Sequence, residues 1–197
     1  MTTHRRPCSD WGATAAEATA PMYGDDLLPE ARLQTTRAVS IAAPPADVWP
    51  WLVQMGPGRA GAYTYDWIEN LFGLDMHSSH EIVPAFQHLA VGDELSLGRS
   101  GPHMRVRFIE APRALVWAAD TSDWSWSFLL TPTAGGGTRL ISRNRLLGPE
   151  SRILRRVYTG IMTPASLVME RKMLRGIAQR AERRARRDTG EIGVDRP

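Results

Sequence analysis

The 197-residue sequence has a single cysteine, a single lysine and no long apolar run. Because Cys8 has no second cysteine to pair with, an internal disulfide and a cysteine-based metal cluster are excluded. No apolar stretch approaches the roughly 18 residues that a membrane-spanning helix needs. None follows the arginine pair at Arg5 and Arg6, as a signal peptide would require. The sequence therefore predicts a cytoplasmic protein without a transmembrane segment.

Motifs for common chemistry are also missing. The sequence contains no nucleophile motif, P-loop, dinucleotide-binding fingerprint or zinc signature. The glycine run Gly135–Gly137 joins two predicted strands and opens no helix, so it indicates a hairpin turn. We therefore expect no cofactor and no metal ion.

Positive charge is concentrated in one part of the chain. Residues 1–138 carry 9 arginines against 15 acidic residues, whereas residues 139–187 carry 14 basic residues against 3 acidic ones. A basic segment of this kind can bind nucleic acid or anionic lipid. Because these charges fall on a predicted strand and helix of one domain, a solvated helix face is favoured over specific nucleic-acid binding. Peripheral binding to an anionic surface stays open as an alternative.

Alternating apolar and polar residues predict strands along much of the chain. A first strand is predicted in LQTTRAVSIAAPP, ending at Pro44-Pro45, and two short helices follow it, at Pro44–Met55 and Asp66–Phe72. From GDELSL onward the pattern predicts an antiparallel meander, whose strands include MRVRF, ALVWAA, WSWSFLLT and TRLISRNRLL. Residues 1–33 are small, polar and interrupted by proline, so they predict a partly extended arm that contributes little to stability.

A long amphipathic helix is predicted near the C-terminus, after a short helix that follows Pro149. Thr163 and Pro164 are residue types preferred at a helix start. Apolar residues then recur at helical spacing on one face: Leu167, Met169, Met173, Leu174, Ile177, Ala178 and Ala181. The helix is expected to end near Arg187. This divides the chain into an arm at 1–33, a domain at 34–187 and a flexible tail at 188–197.

The order of these elements predicts an α+β fold. A curved antiparallel sheet that wraps around the long C-terminal helix, with two short helices after the first strand, buries the apolar faces of both layers. Any space left between the sheet and the helix becomes an internal pocket. Three of the seven tryptophans lie between Trp49 and His77, so this segment either packs densely or closes such a pocket.

Several segments resemble, in the same order, the helix-grip superfamily. They are APPADVWPWLVQMG, GAYTYDWIENLFGLDMH, VGDELSL, WSFLLTP, GGGTRLISR and VMERKMLRGI. The resemblance extends from about Thr35 to Arg183 and is strongest to the bacterial SRPBCC branch of a superfamily that includes START-like lipid-binding domains, birch-pollen-allergen relatives and polyketide cyclases. It implies the helix-grip fold and a cavity for lipids, hormones or polyketides. Only some members of the superfamily catalyse a reaction.

Aromatic and flexible side chains near the predicted cavity are the candidates for ligand contact. Tyr63 and Tyr65 lie in a glycine-flanked loop, where a ring can face a pocket while its hydroxyl stays hydrogen-bonded. Trp124 and Trp126 alternate with serines and therefore share one buried strand face. The full set is Tyr63, Tyr65, Trp67, Trp117, Trp124, Trp126, Arg143, Met169 and Met173. Plain core packing is the alternative for the tryptophans and methionines.

Acid–base chemistry has three candidates, Asp75, His77 and Glu170. Asp75 and His77 are two residues apart, and His80 follows closely, so these side chains suit proton transfer or a metal ion. A polar loop, in which they hydrogen-bond the local backbone, is the favoured alternative.

Glu170 falls within the apolar arc of the last helix. A carboxylate at such a position must be paired, protonated or at the edge of a pocket, because burial without a partner is costly. Its partner is expected to be either Arg143 on the last strand or an arginine of its own helix, such as Arg171 or Arg175.

These features favour one functional hypothesis over two alternatives. The first is the binding of a hydrophobic or aromatic small molecule, lipid- or polyketide-like, in a cavity under the C-terminal helix. The alternatives are a cyclase- or dehydratase-like acid–base enzyme acting on a polyketide-type substrate, and peripheral binding to an anionic surface. The ligand and the oligomeric state stay open at this point.

Overall fold

The computed structural model describes residues 8–71, 73–98 and 101–188. Its helices are α1 (Ala15–Thr19), α2 (Pro45–Val53), α3 (Asp66–Leu71) and α4 (Arg152–Asp188). Its strands are β1 (Leu33–Ile41), β2 (Glu94–Ser96), β3 (His103–Glu110), β4 (Ala114–Ala119), β5 (Trp124–Pro132) and β6 (Thr138–Leu146). Phe72, at the predicted end of the second short helix, residues 1–7 of the predicted arm and residues 189–197 of the predicted tail lie outside the described residues.

The six strands form one antiparallel sheet in the order β1-β6-β5-β4-β3-β2. Strands β2 to β6 follow one another as a meander, and β1 pairs with β6 at the other edge. Helix α4 packs against the concave face of this sheet through the apolar face that its sequence predicts. Met173, Leu174, Ile177 and Ala181 are buried there, whereas Arg175 is exposed. The predicted α+β helix-grip fold is confirmed.

Helix α4 begins earlier than its sequence predicts. It starts at Arg152 and continues through Pro164, so the short helix expected after Pro149 is its first part. The predicted start at Thr163 is wrong because one proline removes only one helical hydrogen bond. The carbonyl left without a donor is that of Gly160, an exposed residue, where water can replace the missing N–H. None of the described helices is long and apolar enough to cross a membrane.

The segment before β1 is attached to the sheet more closely than the sequence predicts. The amides of Thr36 and Ala38 on the edge strand β1 donate to the carbonyls of Ser9 (2.9 Å) and Trp11 (3.1 Å). Two apolar side chains of the segment, those of Ala13 and Met22, are buried against the outer face of the sheet. Because these residues have no periodic pattern, the sequence does not reveal the burial.

Candidate functional site

A cavity of about 400 Å³ lies between the sheet and helix α4. Three parts of the chain form its wall: strands β1, β5 and β6, helix α4, and helix α3 with the segment that leads into it. The lining residues on the sheet are Leu33, Thr35, Trp124, Trp126, Asn144 and Leu146. Those on α4 are Tyr158, Met162, Thr163, Ser166, Met169, Glu170 and Met173. Those of the remaining wall are Ala62, Thr64 and Glu69.

Two tryptophans of β5 form an aromatic wall of the cavity. Trp124 and Trp126 are two residues apart, so a strand places them on the same face. Their rings stack with a centroid distance of 6.1 Å and an interplanar angle of 19°. Ser125, between them, is buried on the opposite face, as the alternation in the sequence predicts. The wall thus presents indole surface to whatever occupies the cavity.

The orientation of both indoles is set by hydrogen bonds that end at Glu170. Trp126 Nε1 donates to Ser142 Oγ, and Trp124 Nε1 donates to Asn144 Oδ1, both at 2.9 Å. Ser142 Oγ donates in turn to Glu170 Oε1 at 2.5 Å. Asn144 Nδ2 lies 3.4 Å from each carboxylate oxygen of Glu170. One carboxylate on α4 therefore anchors two side chains of β6, and through them the aromatic wall.

Glu170 is also paired with Arg37 of β1. The two side chains form a buried ion pair, and Arg37 is 0% and Glu170 7% exposed. Arg37 Nη2 donates further to Ser166 Oγ (2.9 Å) and to the carbonyl of Thr163 (3.3 Å), while its Nε has no partner among the described residues. Burial raises the pKa of the Glu170 carboxyl, and the charge of Arg37 opposes that shift. Glu170 is thus a positioning residue at the cavity wall.

The predicted partners of Glu170 were wrong. The guanidinium groups of Arg171 and Arg175 lie instead over the ring of Trp11, 5.4 Å and 5.6 Å from its centroid. Arg143 is on the opposite face of the sheet, since Ser142 and Asn144 on either side of it face the cavity.

Arg143 holds the N-terminal segment to the sheet and is not a cavity residue, which corrects its place among the ligand-binding candidates. Its Nη1 donates to Asp25 Oδ2 at 2.7 Å and to the carbonyl of Ala20 at 2.9 Å. Its Nη2 donates to the carbonyl of Glu17 at 2.7 Å. Neighbouring residues of a strand point to opposite faces of the sheet, so a shift of one residue would place Arg143 in the cavity. The alternation in the sequence does not reveal which face meets the helix.

Glu69 is a cavity residue that the sequence analysis missed. Its carboxyl is buried, and Thr64 Oγ1 donates to its Oε2. Burial raises the pKa of Glu69, and the nearby charge of Asp66 adds to that shift. In the sequence, Glu69 lies three residues after Asp66, a spacing typical of a helix-capping pair and not of a cavity residue. In the structure Asp66 accepts hydrogen bonds from the N–H and hydroxyl of Ser78, at 2.7 Å and 2.6 Å.

Tyr63, expected to contact a ligand, packs in the core instead. Its hydroxyl donates to the carbonyl of Trp51 and accepts from Gln54 Nε2, both at 3.0 Å. Burial raises the pKa of this hydroxyl. On its other side the backbone of Gly176 approaches so closely that a Cβ there would lie 2.7 Å from Tyr63 atoms. Tyr63 therefore joins the loop to α2 and α4.

Three further aromatic candidates do not line the cavity. Tyr65 lies beside α4, with Lys172 Nζ 5.8 Å from its ring centroid. Trp67 is 68% exposed on the outside of α3. Trp117 is buried in the core on β4. Of the predicted ligand contacts, the structure brings together Trp124, Trp126, Met169 and Met173.

Asp75 and His77 lie away from the cavity. The two side chains are exposed, and His77 Nε2 is 3.2 Å from Asp75 Oδ1. His80 is exposed as well. Within residues 8–71, 73–98 and 101–188, no group of three or more His, Cys, Asp or Glu side chains is arranged to hold a metal ion. The pair is therefore a local contact in a polar loop.

Comparison with known proteins yields distant structural similarities. No protein-family model matches the sequence, and neither does any curated protein. Protein MLL2253 from Mesorhizobium loti is 21% identical, with a TM-score of 0.44 over 77% of this chain and 98% of that one. A protein from Thermobifida fusca is 16% identical, with a TM-score of 0.49 over 76% of this chain and 93% of that one. Because these similarities are distant, the fold assignment rests on the strand order and helix packing described above.

Proposed function

We propose that the protein binds a hydrophobic or aromatic small molecule, lipid- or polyketide-like, in the cavity between the sheet and α4. The observation that carries this proposal is the cavity itself, whose volume of about 400 Å³ falls within the range typical of ligand pockets. A core whose only task was packing would fill such a space, because protein interiors are close-packed.

The side chains of the wall suggest the shape and chemistry of the ligand. Trp124 and Trp126 offer a flat aromatic surface, which suits a planar ring system. Met162, Met169 and Met173 on the helix side are flexible and adapt to irregular apolar groups.

Glu69 is the side chain of the cavity wall that is best placed to form a hydrogen bond with a ligand. Glu170 already accepts from three side chains, whereas Glu69 accepts only from Thr64 among the described side chains. Glu69 accepts a hydrogen bond when it is ionised and can also donate one when it is protonated. We therefore expect an apolar ligand with a carbonyl or hydroxyl group at its Glu69 end.

Native mass spectrometry of protein purified from its own host tests the proposal. The expected result is a retained apolar molecule that is lost in Met169→Trp, because the larger side chain fills the cavity. Val91→Trp, which adds the same ring at an exposed position away from the cavity, should retain it. Full retention by a folded Met169→Trp variant would contradict the proposal.

Glu69 also favours a second candidate function, acid–base catalysis on a polyketide-type ligand in the same cavity. A raised pKa favours the protonated carboxyl, which can give its proton to a ligand hydroxyl that leaves as water; the carboxylate so formed can then take a proton from the neighbouring ligand carbon, which completes the dehydration and restores the acid. Incubation of the protein with the extracted ligand should then produce dehydration, seen as the loss of one water by mass spectrometry. Glu69→Gln should still bind the ligand but leave its mass unchanged. An unchanged mass with the wild-type protein would leave only the binding function.

A further inference from the structure

The first half of α4 carries a face of large apolar side chains that the described chain leaves uncovered. Ile153, Leu154, Val157 and Ile161 are each more than half exposed. With about 100° of rotation per residue, these four positions fall within an arc of about 100°. A regular stripe of this kind differs from the scattered exposed apolar residues of ordinary surfaces.

Helix α3 also has two exposed apolar side chains, on the side of the helix that faces away from Glu69. Trp67 is 68% and Leu71 75% exposed. Glu69, between them in sequence, lines the cavity together with Tyr158 of α4, so the two helices border the same opening. We call the four exposed side chains of α4 the apolar cap: Ile153, Leu154, Val157 and Ile161.

The same face of α4 becomes cationic further along. Eighteen residues, or five helical turns, separate Ile153, Leu154 and Val157 from three basic residues at the same angular positions. These are Arg171, Lys172 and Arg175. Each is held over an aromatic ring, two over Trp11 and one over Tyr65, so their charges have a defined place.

Positive charge also flanks the apolar stripe itself. Arg152 and Arg156 are exposed at the start of α4. The only carboxylate between Arg152 and Arg175 is Glu170, which is buried and paired with Arg37. The outward surface of this stretch therefore combines apolar side chains with charge of one sign.

We propose that the apolar cap and the adjoining cations dock the protein on an anionic lipid surface. Apolar side chains enter the boundary between headgroups and acyl chains, while arginine and lysine contact anionic headgroups. The stripe from Ile153 to Ile161 is about 13 Å long at 1.5 Å per residue, enough to lie in the interface and too short to span it.

A lipid surface fits the charges better than a second copy of the chain. A two-fold contact through the stripe would bring the Arg152 and Arg156 side chains of two molecules toward each other, with no exposed carboxylate in the stripe to offset them. An anionic surface neutralises these arginines and the later cations together. Docking also brings the cavity opening to the membrane, and this last consequence alone rests on the proposed ligand binding.

Co-sedimentation of the full chain with lipid vesicles tests the proposal. We expect binding to vesicles of phosphatidylcholine with phosphatidylglycerol, weaker binding at high salt, and little binding to phosphatidylcholine alone. Val157→Gln with Ile161→Gln should weaken the partition coefficient about tenfold or more, because two inserted side chains are lost. Arg152→Gln with Arg156→Gln should reduce the salt dependence.

Val91→Gln is the matched control, because Val91 is also an exposed apolar residue but lies outside the apolar cap. It should bind vesicles like the wild-type protein. Circular dichroism checks that every variant is folded. The proposal is overturned if the wild-type protein does not sediment with anionic vesicles, or if the control loses binding as strongly as the cap variant. It is also overturned if sedimentation velocity shows a dimer that only the cap variant dissociates.

Discussion

Replacement of Glu170 by alanine should destabilise the protein by about 3–5 kcal/mol. The magnitude follows from what the change leaves behind. Arg37 is fully buried. Without Glu170 its positive charge is no longer paired with a negative one and keeps only neutral hydrogen-bond acceptors. Ser142 and Asn144 lose their acceptor at the same time. Removing one partner of a buried pair costs far more than the pair itself contributes, because the other charge stays out of water.

Urea denaturation at neutral pH, followed by circular dichroism, measures this loss. Near-ultraviolet circular dichroism reports separately on the indoles of Trp124 and Trp126, whose anchors depend on Glu170. We expect the near-ultraviolet tryptophan signal of Glu170→Ala to weaken even where the protein remains folded. Trp117 lies directly opposite Trp126 on the neighbouring strand β4, so its signal is expected to change together with that of the two anchored indoles.

The double variant Arg37→Met with Glu170→Met separates the ion pair from its surroundings. The double variant has no buried charge, so it should be more stable than Glu170→Ala by at least about 2 kcal/mol. Apolar replacements of buried pairs are often neutral or stabilising. A cost below about 1 kcal/mol for Glu170→Ala, or a double variant no more stable than Glu170→Ala, would refute the reasoning. The pair would then not be buried and coupled as described.

Three further predictions concern the pH dependence of stability and the N-terminal segment. Burial raises the pKa of Glu69, so the contribution of Glu69 to stability falls as the pH rises above about 4.5, and Glu69→Gln should gain melting temperature relative to wild type over the same rise in pH. The hydrogen bond from Arg139 lowers the pKa of Glu17 from 4.5 to about 2. The ion pair between Glu17 and Arg139 therefore contributes to stability above pH 4.5, and this contribution is lost as the pH falls toward 2. Glu17→Gln should lower the melting temperature at pH 7 and have little effect at pH 2. Deletion of residues 1–30 should lower the melting temperature by more than about 8 °C, equivalent to ~2 kcal/mol, because it removes the burial of Ala13 and Met22 against the sheet and the ion pair between Arg143 and Asp25.

Each of these predictions has a clear contrary result. A melting-temperature difference between Glu69→Gln and wild type that is the same at every pH would mean that this carboxyl is not perturbed by burial. An equal effect of Glu17→Gln at pH 2 and pH 7 would mean that the ion pair with Arg139 does not act through charge. An unchanged melting temperature after the deletion would support the sequence-based expectation that the N-terminal segment contributes little to stability.

The periodic parts of the sequence determined much of the fold without further information. The alternation in WSWSFLLT predicts that Trp124 and Trp126 share a face, and the helical spacing from Met169 to Ala181 predicts the buried side of α4. The order of strands and helices then predicts a sheet around a C-terminal helix. These inferences depend on residues close together in the chain, where geometry follows from periods of 2 and 3.6.

Only the tertiary structure decided which face of each strand packs against helix α4 and which lies on the outer side of the sheet. Alternation on β6 shows that Arg143 faces away from Ser142, but not which of the two faces the cavity. The N-terminal segment and Glu69 have no period to reveal their burial. Arg37 and Glu170 are 133 residues apart, and the sequence around either residue does not predict that the two form a pair. The cavity wall depends on this contact, which forms only when the edge strand and the last helix are brought together by the packing of the whole domain.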